Sequence, residues 1–313
     1  ALVLAGCAAA ETETETETTA GTEAATSIIG AYDLSGIDIT VGSKDFDEQL
    51  ILGEMLVAAF EEAGATVDNK VNLGGTSVAR AALESGDIDI YMEYNGTGWG
   101  LHLGQDEAAS RDPEELTSVV ADLDLSENGI VWVGRSPFNN TYGFVSSPEL
   151  TESNGGGFTL QTMMDYVQAN EDAVVCMESE YPVRPDGLIL TENHTGITLP
   201  DSQQRILDTG IIYTETKASN CDFGEVYQTD GRIPALGLTL VVDPGVNILY
   251  NVSGTITQDK YNEAPEAFDA IINAILAPLT TARMLEINGF VSADGKQPSV
   301  VAREYLVLEG LIN

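Results

Sequence analysis

The sequence predicts an α/β protein built as two doubly wound lobes. Three observations carry that expectation. Residues 37–91 alternate strand and helix signals in a βαβαβ succession, which implies parallel strands with helices on both faces. Residues 139–251 repeat the same style. The chain has 313 residues, 43% of them hydrophobic, enough for two cores and too apolar for a wholly disordered chain.

The elements follow in order. IDITVG at 37–42 alternates apolar and polar and stops at Gly, a strand signal. A helix follows over 47–64, with Asp45 or Asp47 as cap and Gly64 as stop. Next come a strand at 67–73, a turn at Gly74-Gly75-Thr76, a short helix at 77–85 and a strand at 87–91. In the second half Thr159 caps a helix through 167, and 173–177 is a strand. Residues 202–209 read as helix, and 211–216, 222–226 and 236–242 as strands. The last part is helical, over 258–276, 280–288 and 299–309. Periodicity does not assign these final helices to a lobe. Sheets of this kind bind ligands beyond the carboxyl ends of their strands.

Composition excludes several functions. Asp plus Glu number 50 against 13 Lys plus Arg, a net charge of −37. Such a surface repels phosphates, which argues against nucleic acid and against docking on anionic lipid. The acidity suits a solvated surface at high salt, or attraction of cations. Two His and three Cys form no metal pattern, so neither a metal nor a cofactor is expected. No apolar run reaches the ~18 residues of a spanning helix.

The first residues, ALVLAGCAAA, look like the tail of an export signal. Leu4-Ala5-Gly6-Cys7 resembles the lipobox of bacterial lipoproteins. That resemblance implies that 1–6 are a signal remnant and that Cys7 becomes the lipid-modified first residue. The Thr/Glu-rich stretch that follows lacks large apolar groups, so 7–35 is expected to be a flexible tether, with the fold starting near Gly36. Export permits a disulfide between Cys176 and Cys221. Their spacing alone fits two buried thiols equally well.

Several motifs point one way. Gly42-Ser43-Lys44-Asp45-Phe46-Asp47-Glu48-Gln49, Asn72-Leu73-Gly74-Gly75-Thr76, Tyr91-Met92-Glu93-Tyr94-Asn95-Gly96-Thr97, Asn140-Thr141-Tyr142, Arg184-Pro185-Asp186-Gly187 and Tyr227-Gln228-Thr229-Asp230-Gly231 occur in that order. Together they resemble the quaternary-ammonium-binding proteins of ABC importers, which take up glycine betaine, choline and carnitine. The resemblance implies a type II periplasmic-binding-protein fold, two lobes joined by two crossover strands. Lobe 1 would comprise 36–138 and 252–313, and lobe 2 would comprise 139–251.

The chemistry of such a ligand explains the residue types. A trimethylammonium group is a fixed cation without an N–H, so aromatic faces hold it, at ~0.5–2 kcal/mol per ring. Four rings and methyl burial reach micromolar affinity, about 8 kcal/mol. By resemblance the cage falls on Tyr94, Tyr142, Tyr227 and Tyr250, with Tyr181 as a possible addition. A betaine also carries a carboxylate. Lys44 and Arg184 match the positions that hold it, and Thr97 adds a hydroxyl. Glu180, four residues before Arg184, is expected to orient that Arg or to approach the cation.

The expected function is therefore capture of a compatible solute outside the cytoplasm, on a lipid-anchored protein, for delivery to an ABC permease. An enzyme or a ligand-sensing domain on the same bilobal fold is the alternative. An enzyme needs a nucleophile–base pair or a metal in the cleft, and His102 and His194 fall in none of the motifs.

Overall fold

The structure, a computed structural model, describes residues 27–105 and 110–313. Among these, ten strands form two five-stranded sheets. The first contains β1 (Asp38–Gly42), β2 (Thr66–Lys70), β3 (Ile90–Tyr94), β4 (Ile130–Val133) and β10 (Val252–Thr257), in the order β2-β1-β3-β10-β4. The second contains β5 (Tyr142–Ser146), β6 (Val175–Met177), β7 (Gln204–Ile206), β8 (Phe223–Tyr227) and β9 (Thr239–Leu240), in the order β7-β6-β8-β5-β9. Each sheet is the centre of one lobe, with helices around it.

The expected parallel strands are present: β1 pairs in parallel with β2 and β3, and β6 with β7 and β8. Each sheet also contains one inserted antiparallel strand, β10 in the first and β5 in the second. These are the strands that arrive from the other lobe. A chain crossing between lobes enters the new sheet from the opposite end, so its direction reverses. Both lobes are therefore mixed sheets rather than purely parallel ones.

The two crossovers run side by side. Ser136 N donates to Val252 O at 2.7 Å and Asn140 N to Tyr250 O at 3.0 Å. Asn251 Nδ2 donates to the carbonyls of Ser136 and Phe138. After the second crossover the chain stays with the first lobe. Helix Pro298–Leu308 packs along helix Asp47–Glu62, burying Val301, Ala302, Tyr305 and Leu306 in the same core as Met55, Leu56 and Phe60.

Several expectations need correction. The fold is in place before Gly36. Ile29 and Leu34 are fully buried, Ile29 N donates to Leu311 O at 3.0 Å and Leu34 N to Ala63 O at 2.7 Å. Residues 27–35 are therefore tied to the first lobe through Ile29 and Leu34, while Cys7 and 1–26 lie outside the described residues. Helix Asp47–Glu62 starts after Phe46 without a side-chain cap, so neither Asp45 nor Asp47 caps it. Residues 201–217 are exchanged relative to the sequence reading: Gln204–Ile206 is an edge strand and Thr209–Lys217 a helix. The β-branched IIYTET run suggested a strand, but Ile212, Tyr213 and Thr216 bury one helical face. Thr159 does cap helix Leu160–Ala169, through a reciprocal bond with Thr162. Cys176 and Cys221 form a disulfide, with Cα atoms 5.8 Å apart, tying β6 to the approach of β8.

Candidate functional site

The motif residues sit at strand ends facing the gap between the lobes. Lys44 follows β1, Tyr94 ends β3 and Thr97 lies three residues on. Tyr142 begins β5 and Tyr227 ends β8. They are direct cross-strand partners, so their rings share one sheet face with centroids 5.6 Å apart. Tyr250 lies in the return crossover. It rests against the 95–97 turn because Gly96 has no side chain: a Cβ there would lie 2.5 Å from Leu249 O and 3.0 Å from the Tyr250 ring.

These rings close a circuit. Tyr94 meets Tyr250 at 6.3 Å, Tyr250 meets Tyr142 at 5.4 Å, and Tyr142 meets Tyr227 at 5.6 Å. Phe46 completes it, 4.9 Å from Tyr227 and 6.3 Å from Tyr94. A planar five-sided circuit with such edges has its centre about 5 Å from every centroid, within the ~6 Å reach of cation–π attraction. The five rings line one small pocket, a cavity of ≈ 30 Å³, with Lys44, Thr76, Thr97, Asn140 and Arg184. Phe46 was not among the expected ring residues. Its position inside the Lys44 motif was the available signal. Tyr181 lies outside the circuit, fully buried behind Tyr142 at 4.9 Å and Phe144 at 5.7 Å.

Charged groups behind the rings are paired or hydrogen-bonded. Lys44 Nζ donates to Glu93 Oε1 at 2.6 Å and lies 5.2 Å from the Tyr94 centroid. Glu93 also accepts from the Tyr91 hydroxyl at 2.8 Å and faces His102 Nε2 at 2.9 Å. Burial opposes its ionisation, but the Lys44 ammonium and His102 outweigh burial and hold the carboxyl far below its ordinary value. Burial in turn pushes the Lys44 ammonium down, against the pull of Glu93. Arg184 is gripped by Asp186, with Nε at 2.8 Å and Nη2 at 2.7 Å from the two carboxylate oxygens. It reaches into the first lobe through Nη1 to Thr76 Oγ1 at 3.3 Å and Nη2 to Thr97 Oγ1 at 3.4 Å.

Glu180 does not line the five-ring pocket. It lines the wider cleft beside the pocket, where Asp45, Asp47, Glu178 and Asp208 join Lys44, Arg232 and the Phe46 and Tyr227 rings. There it accepts Arg184 Nη1 at 3.3 Å and the backbone N–H of Thr76 at 3.2 Å. Its contact is with the Arg and the facing lobe. Burial lifts the hydroxyls of Tyr94, Tyr142, Tyr227 and Tyr250 well above the ordinary tyrosine value, so the rings remain neutral phenols.

Two mixed-sheet lobes joined by paired crossovers, with an aromatic pocket in the gap, define a substrate-binding protein of the type II periplasmic-binding class. The chain belongs to the family described as the substrate binding domain of ABC-type glycine betaine transport system, whose model matches residues 37–307. It is similar to the glycine betaine-binding protein YehZ of Escherichia coli, at 29% identity over 87% of this chain and 90% of that one. A glycine-betaine-binding protein of Pseudomonas aeruginosa is 30% identical over 86% of each. The solved structure of apo YehZ from Escherichia coli superposes with a TM-score of 0.64 at 28% identity, covering 88% of this chain and 99% of that one.

Proposed function

We propose that the protein captures glycine betaine or a related quaternary ammonium solute in the five-ring cage and presents it to the membrane subunits of an ABC importer, for osmoprotective uptake. The closed ring circuit carries this reading. Its five rings line one pocket, with Phe46, Tyr94 and Tyr250 from the first lobe and its crossover and Tyr142 and Tyr227 from the second. A fixed cation stabilises the closed form because only closure assembles all five rings. Lys44, Thr97 and Arg184 border the same pocket, and in this reading they take the carboxylate of a betaine. Glu180 positions Arg184 rather than the ligand. The role is capture and delivery, without covalent chemistry.

In the same reading Cys7 carries a lipid that keeps the protein at the outer face of the membrane. A Cys7→Ser protein should then leave the membrane pellet, and one that stays there would contradict the anchor. The test of function is calorimetric titration with glycine betaine, choline, carnitine and proline. Micromolar binding of at least one quaternary amine is expected. Absence of heat with all of them would refute the reading.

A further inference from the structure

Behind the cage lies a carboxylate that the ligand would not touch. Glu48 is buried in the first turn of helix Asp47–Glu62. Its Oε1 accepts from the Tyr94 hydroxyl at 2.8 Å and from Asn140 Nδ2 at 2.8 Å. Its Oε2 accepts from Thr229 Oγ1 at 2.5 Å and from Asn288 Nδ2 at 2.8 Å. All four donors are neutral. Two are amide N–H groups, which can only donate. A carboxyl group accepting four such bonds has the pattern of the ionised form. Burial raises its proton affinity, and the four donors offset only part of that, so the carboxyl stands above its ordinary value.

Two other carboxylates near the rings differ in one respect. Asp186 accepts the Tyr250 hydroxyl at 2.7 Å but also carries Arg184. Glu93 carries Lys44. Among the described carboxylates bonded to a cage hydroxyl, Glu48 is the one whose hydrogen-bond donors are all uncharged. A phenol that donates to an anion gains electron density, and an electron-richer ring face attracts a cation more strongly. The same carboxylate joins Tyr94 and Asn288 of the first lobe to Asn140 of the crossover and Thr229 beyond β8. The charge therefore stands behind the ring when the lobes are together.

We infer that Glu48 is a positioning residue that sets the cage's preference for fixed positive charge, acting through its bond to the Tyr94 hydroxyl. The inference rests on the quaternary-ammonium reading of the site. It states that the cage selects a trimethylammonium head over a neutral head of the same shape, and that Glu48 supplies a measurable part of that selection. A purely structural role would weaken both heads alike.

The test compares choline with 3,3-dimethyl-1-butanol, its uncharged carbon isostere. Choline is titrated calorimetrically, and the isostere is read by displacement of choline at millimolar concentration. Glu48→Gln should lower choline affinity about tenfold, the scale of one cation–π contact, with the isostere little changed. Tyr94→Phe keeps both ring and carboxylate but removes their bond. It should narrow the choline-to-isostere ratio in the same direction, and it gives the reading if the Gln variant fails to fold. Equal losses for both ligands, or an unchanged ratio in both variants, would overturn the inference while leaving the proposed function intact. A wild-type protein that binds no quaternary amine would overturn that function, and this inference with it.

Discussion

Replacing Phe46 by Leu tests the cage at the ring that completes it. Phe46 contacts Tyr94 of its own lobe at 6.3 Å and Tyr227 of the other at 4.9 Å. Leu keeps apolar bulk and removes the π face. The loss of one cation–π contact costs ~0.5–2 kcal/mol. The ring pairing that bridges the lobes adds ~0.5–1.5 kcal/mol. Together these weaken binding by roughly one to two orders of magnitude. Phe46 is only half-buried, so the ligand-free fold should lose less than about 1 kcal/mol. Calorimetry with choline and glycine betaine reads the affinity, and denaturant unfolding without ligand reads the fold. An affinity within twofold of wild type would refute the five-ring circuit. So would a loss matched by an equal loss of ligand-free stability, since that would make Phe46 a packing residue.

Three further outcomes are expected. Lys44→Ala should weaken glycine betaine more than choline, because only the betaine offers a carboxylate; equal losses would assign the effect to its pairing with Glu93. Glu93→Gln leaves the buried Lys44 ammonium without its partner and should cost about 3–5 kcal/mol in denaturant unfolding. The Glu93 carboxyl is held below its ordinary value of 4.5, so its contribution is complete above that pH and is lost as pH falls below it. The Gln variant should show a flatter acid limb, and an unchanged limb would remove Glu93 from the balance. Gly231→Ala suits the local backbone, at φ −64, but its Cβ would collide with the Gly289 backbone on helix Thr281–Ser292 of the facing lobe. It should hold the lobes apart and weaken ligand by about 1–3 kcal/mol, with little change in ligand-free unfolding. Unaltered affinity would show that this contact is not needed for binding.

The parts legible in the sequence are those with local causes. Alternation ending in Gly marked β1, and the Thr159 signal marked the helix Leu160–Ala169. Strand direction has no local signature, so the antiparallel return of β10 and β5 was not readable. Gln204–Ile206 is three residues on a sheet edge, too short and exposed to show alternation. Next to it, β-branched residues occupy a helix because Ile212, Tyr213 and Thr216 face the core together. Motifs located the tyrosines of the pocket. Phe46 escaped because its one signal was its place in the Lys44 motif, while its type, a lone Phe between two Asp, does not mark a ligand ring. The partners of Glu48 escaped for a different reason: Thr229 lies 181 positions away, and only folding brings such groups together.

The most direct measurement is a crystal structure of the protein saturated with choline or glycine betaine. The ammonium nitrogen should lie inside the circuit, within about 6 Å of the ring centroids of Phe46, Tyr94, Tyr142, Tyr227 and Tyr250. A nitrogen seated in the wider cleft beside Glu180, beyond reach of Tyr94, Tyr142 and Tyr250, would contradict this.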